Sequence, residues 1–388
     1  MQDRIAMSPG RVLITPESGE PYYATMTRAD NPTQEGTPLN KANLLSDAAE
    51  TALFGSAADR TVNDAFMGIG ARLKLIMSDM AEIELTVLTA SGKAVPNMPI
   101  EGALDAAGNV LVTDSSGKAY GYVPEGSVTL SVSGYADVQN YSVTMSVEKG
   151  QSYKKTITLS TINFVKLTSS KSVKFSPNVS RVDVTVVGGG GSGGTGTGRN
   201  GAGGGGGGYC TVQENVDFVP GTTYSAVIGA GGKGVQAYDP RDGNAGGASS
   251  FMGITANGGS GGGRGMSNGN NAAGGAGNGA GGTGVAYNKT PGAGAAGSVP
   301  GYSSFTETVR YGGGGGGGRG FTYDGGGAGG ADFGAKGGGK GAGSSAASGT
   351  GGGGGGGGGD DSDGDISYGT GGDGGSGCVA IRMHLTAS

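Results

Sequence analysis

The chain carries one histidine, two cysteines and no tryptophan, so few side chains are suited to covalent or metal chemistry. His384 alternates with Arg382 in an apolar C-terminal stretch. A Ser-His-Asp or Cys-His device needs its imidazole beside a nucleophile; nothing in the sequence points to one, and a structural strand residue is expected. Cys210 and Cys378 stand in strand-like stretches that follow glycine runs, and one histidine with two cysteines is a poor zinc ligand set. Buried free thiols are expected, with the question of whether the two are neighbours left open. Asp361, Asp363 and Asp365 alternate as in a calcium loop. An EF-hand then wants glycine at the sixth position and glutamate at the twelfth, where Ile366 and Gly372 stand, so a solvated acidic loop is expected. Runs such as 203–208 satisfy a nucleotide-loop pattern trivially, without the strand and helix it requires. The expectation is no catalytic residue, no metal and no cofactor.

Recognition is a different matter. Short islands of larger residues interrupt the glycine runs: Tyr238 and Arg241; Tyr287 and Lys289; Arg319, Phe321 and Tyr323; Phe333 and Lys336. Tyrosine and arginine on such loops offer large contact area at low entropic cost, as in paratopes. The same aromatics would equally serve to cap the glycine runs against water.

The elements that must position these islands follow from the distribution of glycine. Of 92 glycines in 388 residues, 14 lie in 1–187 and 78 in 188–388. Such a composition also suits a disordered linker, but here strand-like segments bracket the runs, one of them at the C-terminal end. Ordering so many glycines costs about 0.5–1 kcal/mol each relative to alanine, which a fold accepts where side chains do not fit. Left-handed helices of three residues per turn, packed on one another, are such a place. Residues 161–388 are therefore expected to form a glycine-rich domain of β-strands and packed polyglycine II helices.

Upstream, 1–39 reads as an extended attachment arm or a partly ordered tail, with Pro9, Pro16, Pro21, Pro32 and Pro38 opposing helix. Val12-Leu13-Ile14 could add a strand to a partner. Residues 40–83 read as α-helical, with Val62, Phe66, Ile69, Leu73, Ile76, Met80 and Ile83 spaced alternately by four and three. That stripe suggests a coiled-coil seam, with the β-branched positions favouring a homotrimer over a dimer; an amphipathic helix packed on its own chain is the alternative. Residues 84–160 alternate apolar and polar between glycine turns, as a small all-β sandwich spacer would. The expected fold class is thus multidomain: arm and α-helical coiled coil, β-sandwich, then glycine-rich domain.

Three resemblances carry a reading of function. Phe175–Gly191, then Tyr209-Cys210, Val219–Tyr224, Val227–Gly232 and Gly374–Arg382, look like the glycine-rich domain of phage tail fibres. Gly36–Asp47 looks like the N-terminal region of tail proteins in phages and prophages of Gram-positive gut bacteria. Ser91–Pro96, Thr113–Gly117 and Gly134-Tyr135 resemble carboxypeptidase-regulatory-like domains. The resemblance implies a tail fibre or tail-tip adhesin located in the virion and assembled in the bacterial cytoplasm. Its partners would be other tail or baseplate proteins, further copies of itself and a bacterial cell-surface glycan or protein. A structural fibre or baseplate decoration without receptor recognition is the alternative. A net charge of -5 opposes nucleic-acid binding, no apolar run suits membrane insertion, and no carboxylate pair on a known scaffold suggests a glycan-degrading enzyme.

Overall fold

The computed structural model describes residues 11–14, 18–20, 22–25, 79–236, 240–266, 270–286, 288–320, 326–338, 341–360 and 367–386. Contacts divide the chain into two compact units, Met1–Met77 and Ser78–Ser388. In the first, β1 (Arg11–Ile14) pairs antiparallel with β2 (Tyr22–Thr25), so the stretch expected to seek a partner strand finds one in its own chain.

The described residues are all-β, without a helix, which corrects the expected α-helical coiled coil. Val62, Phe66, Ile69, Leu73 and Ile76 lie outside the described residues. Met80 and Ile83, the last two positions of that stripe, lie in β3 (Met80–Thr89). Here a period of two overrides the heptad: Ala81, Ile83, Leu85 and Val87 are buried while Glu82 and Glu84 point outward. A spacing of three then sends Met80 and Ile83 to opposite faces of the strand.

Beyond β3 come β4 (Pro99–Leu104), β5 (Val110–Val112), β6 (Lys118–Pro124), β7 (Gly126–Val132), β8 (Tyr141–Val147) and β9 (Ser152–Leu159). They join in one path, β8-β7-β4-β6-β3-β9 with β5 on β4, around a single core that includes Ile83, Leu85, Met98, Ile100, Leu130 and Ile157. The result is a nearly closed, barrel-like sheet in place of the two separate layers of a sandwich. The reason lies in β4, which pairs with β7 at Glu101–Ser131 and with β6 at Leu104–Tyr122, and so belongs to both halves. Gly102 makes the bend possible, with φ +92° and a position where a Cβ would lie 2.1 Å from the Thr129 carbonyl oxygen.

The glycine-rich part is rooted in two four-stranded sheets. One has the order β10 (Phe164–Leu167), β21 (Cys378–Leu385), β12 (Val179–Val187), β13 (Cys210–Val216). The other runs β11 (Lys171–Lys174), β14 (Thr223–Val227), β15 (Ser249–Phe251), β16 (Ile254–Ala256). Phe175, Val182, Val184, Phe251, Ile381 and Met383 fill the core they share. Two further ribbons, β17 (Pro300–Tyr302) with β18 (Thr308–Arg310) and β19 (Gly359–Asp360) with β20 (Ser367–Tyr368), lie along the chain before β21.

From the sheets extend the glycine runs, whose hydrogen bonds repeat every three residues. Gly189, Ser192 and Thr195 donate to the carbonyls of Gly247, Asn244 and Arg241. Gly190, Gly193 and Gly196 donate to Gly375, Gly372 and Gly369, and Gly191 and Gly194 to Gly206 and Gly203, all at 2.8–3.0 Å. Each run thus serves three neighbours in rotation, so its polar backbone is satisfied with little apolar core. At the glycines a side chain has no place: a Cβ on Gly205 would lie 2.1 Å from the Gly191 carbonyl oxygen, and one on Gly193 2.0 Å from that of Gly355.

Candidate recognition surface and the clamp at its root

The run leaving β12 at Gly188 reaches its turn at Thr197 after about 28 Å, at ~3.1 Å per residue. There Thr197 and Asn200 exchange backbone hydrogen bonds at 2.8 and 2.9 Å and the chain reverses. This turn marks the distal end of the lattice, and other segments end beside it. Thr195 donates through its N–H and its Oγ1 to the Arg241 carbonyl at 3.0 Å, and its own carbonyl accepts from Gly265 at 2.9 Å. Asn200 bridges to Ala286, Val285 pairs parallel with Arg319, and Gly320 with Gly359.

The consequence is a charged tip. Arg199, Arg241, Arg264, Lys289 and Arg319 collect there, five of the ten lysines and arginines in 188–388. All but the half-buried Arg319 are exposed. The Arg264 N–H donates to Asp242 Oδ1 at 2.8 Å, tying two tip segments together. Of the residues expected from sequence to recognise a partner, the structure brings Arg241, Lys289 and Arg319 to this end. Phe333 instead sits near the root, its ring stacked on Tyr311 with centroids 6.0 Å apart. Tyr311 packs with Val187, Cys210 and Cys378 where the runs leave the strands. Lys336 is exposed along the lattice, its carbonyl accepting from Ser344 at 2.9 Å. Tyr238, Tyr287, Phe321 and Tyr323 lie outside the described residues, as do Asp361, Asp363 and Asp365. Arg199 and Arg264 were not anticipated; their signal was a lone arginine between glycine runs, as at Arg319.

At the root lies a polar cluster that sequence reasoning missed. Asp183, nearly fully buried on β12, accepts at Oδ2 from Arg382 Nε and Nη2 at 3.0 and 2.7 Å, and meets His384 Nε2 at 2.7 Å. Its Oδ1 accepts from the Asn215 N–H at 2.9 Å. Burial pushes the Asp183 carboxyl up, but the hydrogen bonds from Asn215, His384 and Arg382 outweigh it and hold the group below its ordinary value. The Arg382 guanidinium lies 3.7 Å from the Tyr302 ring centroid, and the His384 ring meets Phe305 edge-on at 5.3 Å. Tyr302 donates its hydroxyl to Glu214. An aspartate–histidine pair is present, but among the described residues the His384 ring is engaged by Asp183 and Phe305 and not by a hydroxyl or thiol. The arrangement suits a clamp between β12 and β21 rather than nucleophilic catalysis. The available signal was Asp183 itself, a carboxylate inside the apolar strand Val182–Val187.

Val187 pairs with Cys210 on one side and Cys378 on the other. The two cysteines are therefore two strands apart, about 9.5 Å at the usual strand spacing, beyond disulfide reach. Both thiols are free and buried. Burial, with a smaller effect from Cys378, pushes Cys210 up to about 12. Burial also pushes Cys378 up to about 11, against the opposing charge of Lys166. Among the described residues no group of His, Cys, Asp and Glu is placed to hold a metal ion. Nor is any helix among them long and apolar enough to cross a membrane.

Among the described residues, fold and lattice define an all-β arrangement whose glycine runs hold side chains at their ends. The family model described as "Glycine-rich domain" matches residues 166–384, more than half of the chain, and the chain belongs to that family. No curated protein matches it.

Proposed function

We propose that the chain is a phage tail fibre or tail-tip adhesin whose glycine-rich domain binds the host cell surface. The observation that carries this reading is the charged distal tip: a lattice of close-packed glycine runs ends in five cationic residues drawn from five separate segments. Such a scaffold tolerates change at its loops without repacking a core, which suits a surface whose partner varies. The N-terminal region attaches the chain to other tail or baseplate proteins, a role supported by the resemblance of Gly36–Asp47 to tail proteins. Several copies on one particle would turn weak tip contacts into firm adhesion.

The test is binding of the fluorescently labelled full chain to a panel of Gram-positive gut bacteria, beside an Arg241→Ala/Lys289→Ala/Arg319→Ala variant of unchanged melting temperature. The reading expects saturable binding to at least one strain and a loss of tenfold or more in the variant. Equal binding by both proteins, or no binding to a strain that adsorbs the intact particle, would overturn it in favour of a structural decoration.

A further inference from the structure

A second surface lies on the barrel. On its outward face β3 is flanked by β6 and β9, and the registers align two rows across the three strands. One row is Tyr122–Glu82–Ser152 and the next Tyr120–Glu84–Lys154. These six residues line an open groove of about 460 Å³, with Ala106 at the tip of the β4–β5 hairpin as a wall. Gly121 lets that hairpin come close, since a Cβ there would lie 2.3 Å from the Leu104 carbonyl oxygen. The volume falls in the range of small-molecule sites.

The polar groups are held in place before any ligand arrives. Ser152 Oγ donates to Glu82 Oε2 at 2.9 Å, and Lys154 Nζ lies 2.6 Å from Glu84 Oε2. The Lys154 ammonium holds the Glu84 carboxyl below its ordinary value, so it is an acceptor throughout the neutral range. Beside these acceptors, on β6, stand two tyrosines of one strand face, about 7 Å apart along the strand. Tyr120 is 61% exposed, an aromatic left in water beside ordered carboxylates.

We propose that this groove binds a neutral oligosaccharide of two or three sugar units. Pyranose rings present apolar C–H faces that pack on tyrosine rings, and hydroxyl rims that donate to carboxylates. Glu82 and Glu84 supply acceptors, as does Ser152 Oγ with its proton given to Glu82, Lys154 supplies donors, and the rings supply the platform. Glu82 and Glu84 balance Lys154 and, in the next row, Lys118, so the groove has no net positive charge to draw an anionic polymer, and charged groups across the floor disfavour a lipid. The site is separate from the tip, and its sugar need not be the one the tip meets.

The test is saturation-transfer NMR on the full chain with neutral oligosaccharides of glucose, galactose, mannose, rhamnose and N-acetylglucosamine, and a sulfated disaccharide as the anionic comparison. At least one neutral sugar is expected to receive saturation. Tyr120→Ala should weaken it by tenfold or more, Tyr120→Phe by less than threefold, and Glu84→Gln by about fivefold. Arg241→Ala at the tip should leave it unchanged, so failure of the groove and failure of the tip are read separately. No transfer to any neutral sugar, transfer to the sulfated sugar alone, or equal affinity in Tyr120→Ala would overturn the proposal.

Discussion

Asp183 on β12 stands opposite Arg382 on β21, and its Oδ2 takes both guanidinium hydrogen bonds at 2.7 and 3.0 Å. The pair joins residues 199 apart in the chain and ties the C-terminal strand to the strand that launches the first glycine run. The Asp183 carboxyl is held below its ordinary 3.8 in the folded protein. A depressed carboxylate contributes stability that is present above its unfolded value and is lost as pH falls through the folded one. Melting temperature should therefore drop as pH is lowered below about 4. Asp183→Asn should remove part of that drop and cost about 3 kcal/mol at neutral pH, because it leaves Arg382 without its charge partner. Thermal melts across pH measure both effects.

Asp137 has the opposite sign. It is fully buried and accepts from the Ser176 N–H at 2.9 Å and from the Ser176 hydroxyl, joining a barrel loop to the first residues of the glycine-rich core. Burial pushes its carboxyl above the ordinary 3.8, against the opposing Ser176 bonds. Its contribution to stability is largest at low pH and falls as pH rises through the unfolded value. Asp137→Ala strands both Ser176 donors and should cost about 1–3 kcal/mol by denaturant melt. Asp137→Asn keeps an acceptor and should cost less than half as much.

Glycine serves two separate purposes, and substitutions should tell them apart. Gly205→Ala drives a Cβ to 2.1 Å from a backbone carbonyl inside the lattice. A loss of about 3 kcal/mol or more is expected, or insoluble protein. Gly108→Ala meets nothing within 4 Å and bears only the strain of φ +84°, about 1 kcal/mol. Urea melts of the two variants give the contrast.

Cys210 and Cys378 should be silent. With thiols pushed up to about 12 and about 11 they carry almost no thiolate near neutrality. A colorimetric thiol reagent should label neither in the native protein and both in denaturant. Oxidation of the native chain should form no bond between them.

Much of the strand content was legible because side chains alternate visibly there. Pro99–Leu104 and Cys378–Leu385 are strands as the pattern indicates, and Val182–Val187 lies within β12. Ser249–Ala256 forms two strands rather than one, because Met252 and Gly253 take positive φ and turn the chain into a hairpin. Of Met80 and Ile83 the strand period keeps only Ile83 on the buried face, and the alternation of Ala81, Ile83, Leu85 and Val87 decides for strand. Lattice partners such as Gly191 with Gly206 carry no side-chain code, so nothing local in the sequence names them. Arg241, Lys289 and Arg319 were legible one at a time, but their meeting at one end depends on those same partners. Asp183 was visible as a misfit in its strand while Arg382 and His384 lay two hundred residues away.

The most direct test of the account is backbone amide exchange on the full chain, read across 203–208, 312–318 and 351–359. Each run has amides paired to neighbouring runs, as Gly205 is to Gly354, Gly315 to Gly205 and Gly353 to Gly313. The account predicts protection in all three runs comparable to that of β12. Exchange there at the rate of an unstructured chain, with β12 still protected, would contradict the lattice and with it the tip that the lattice builds.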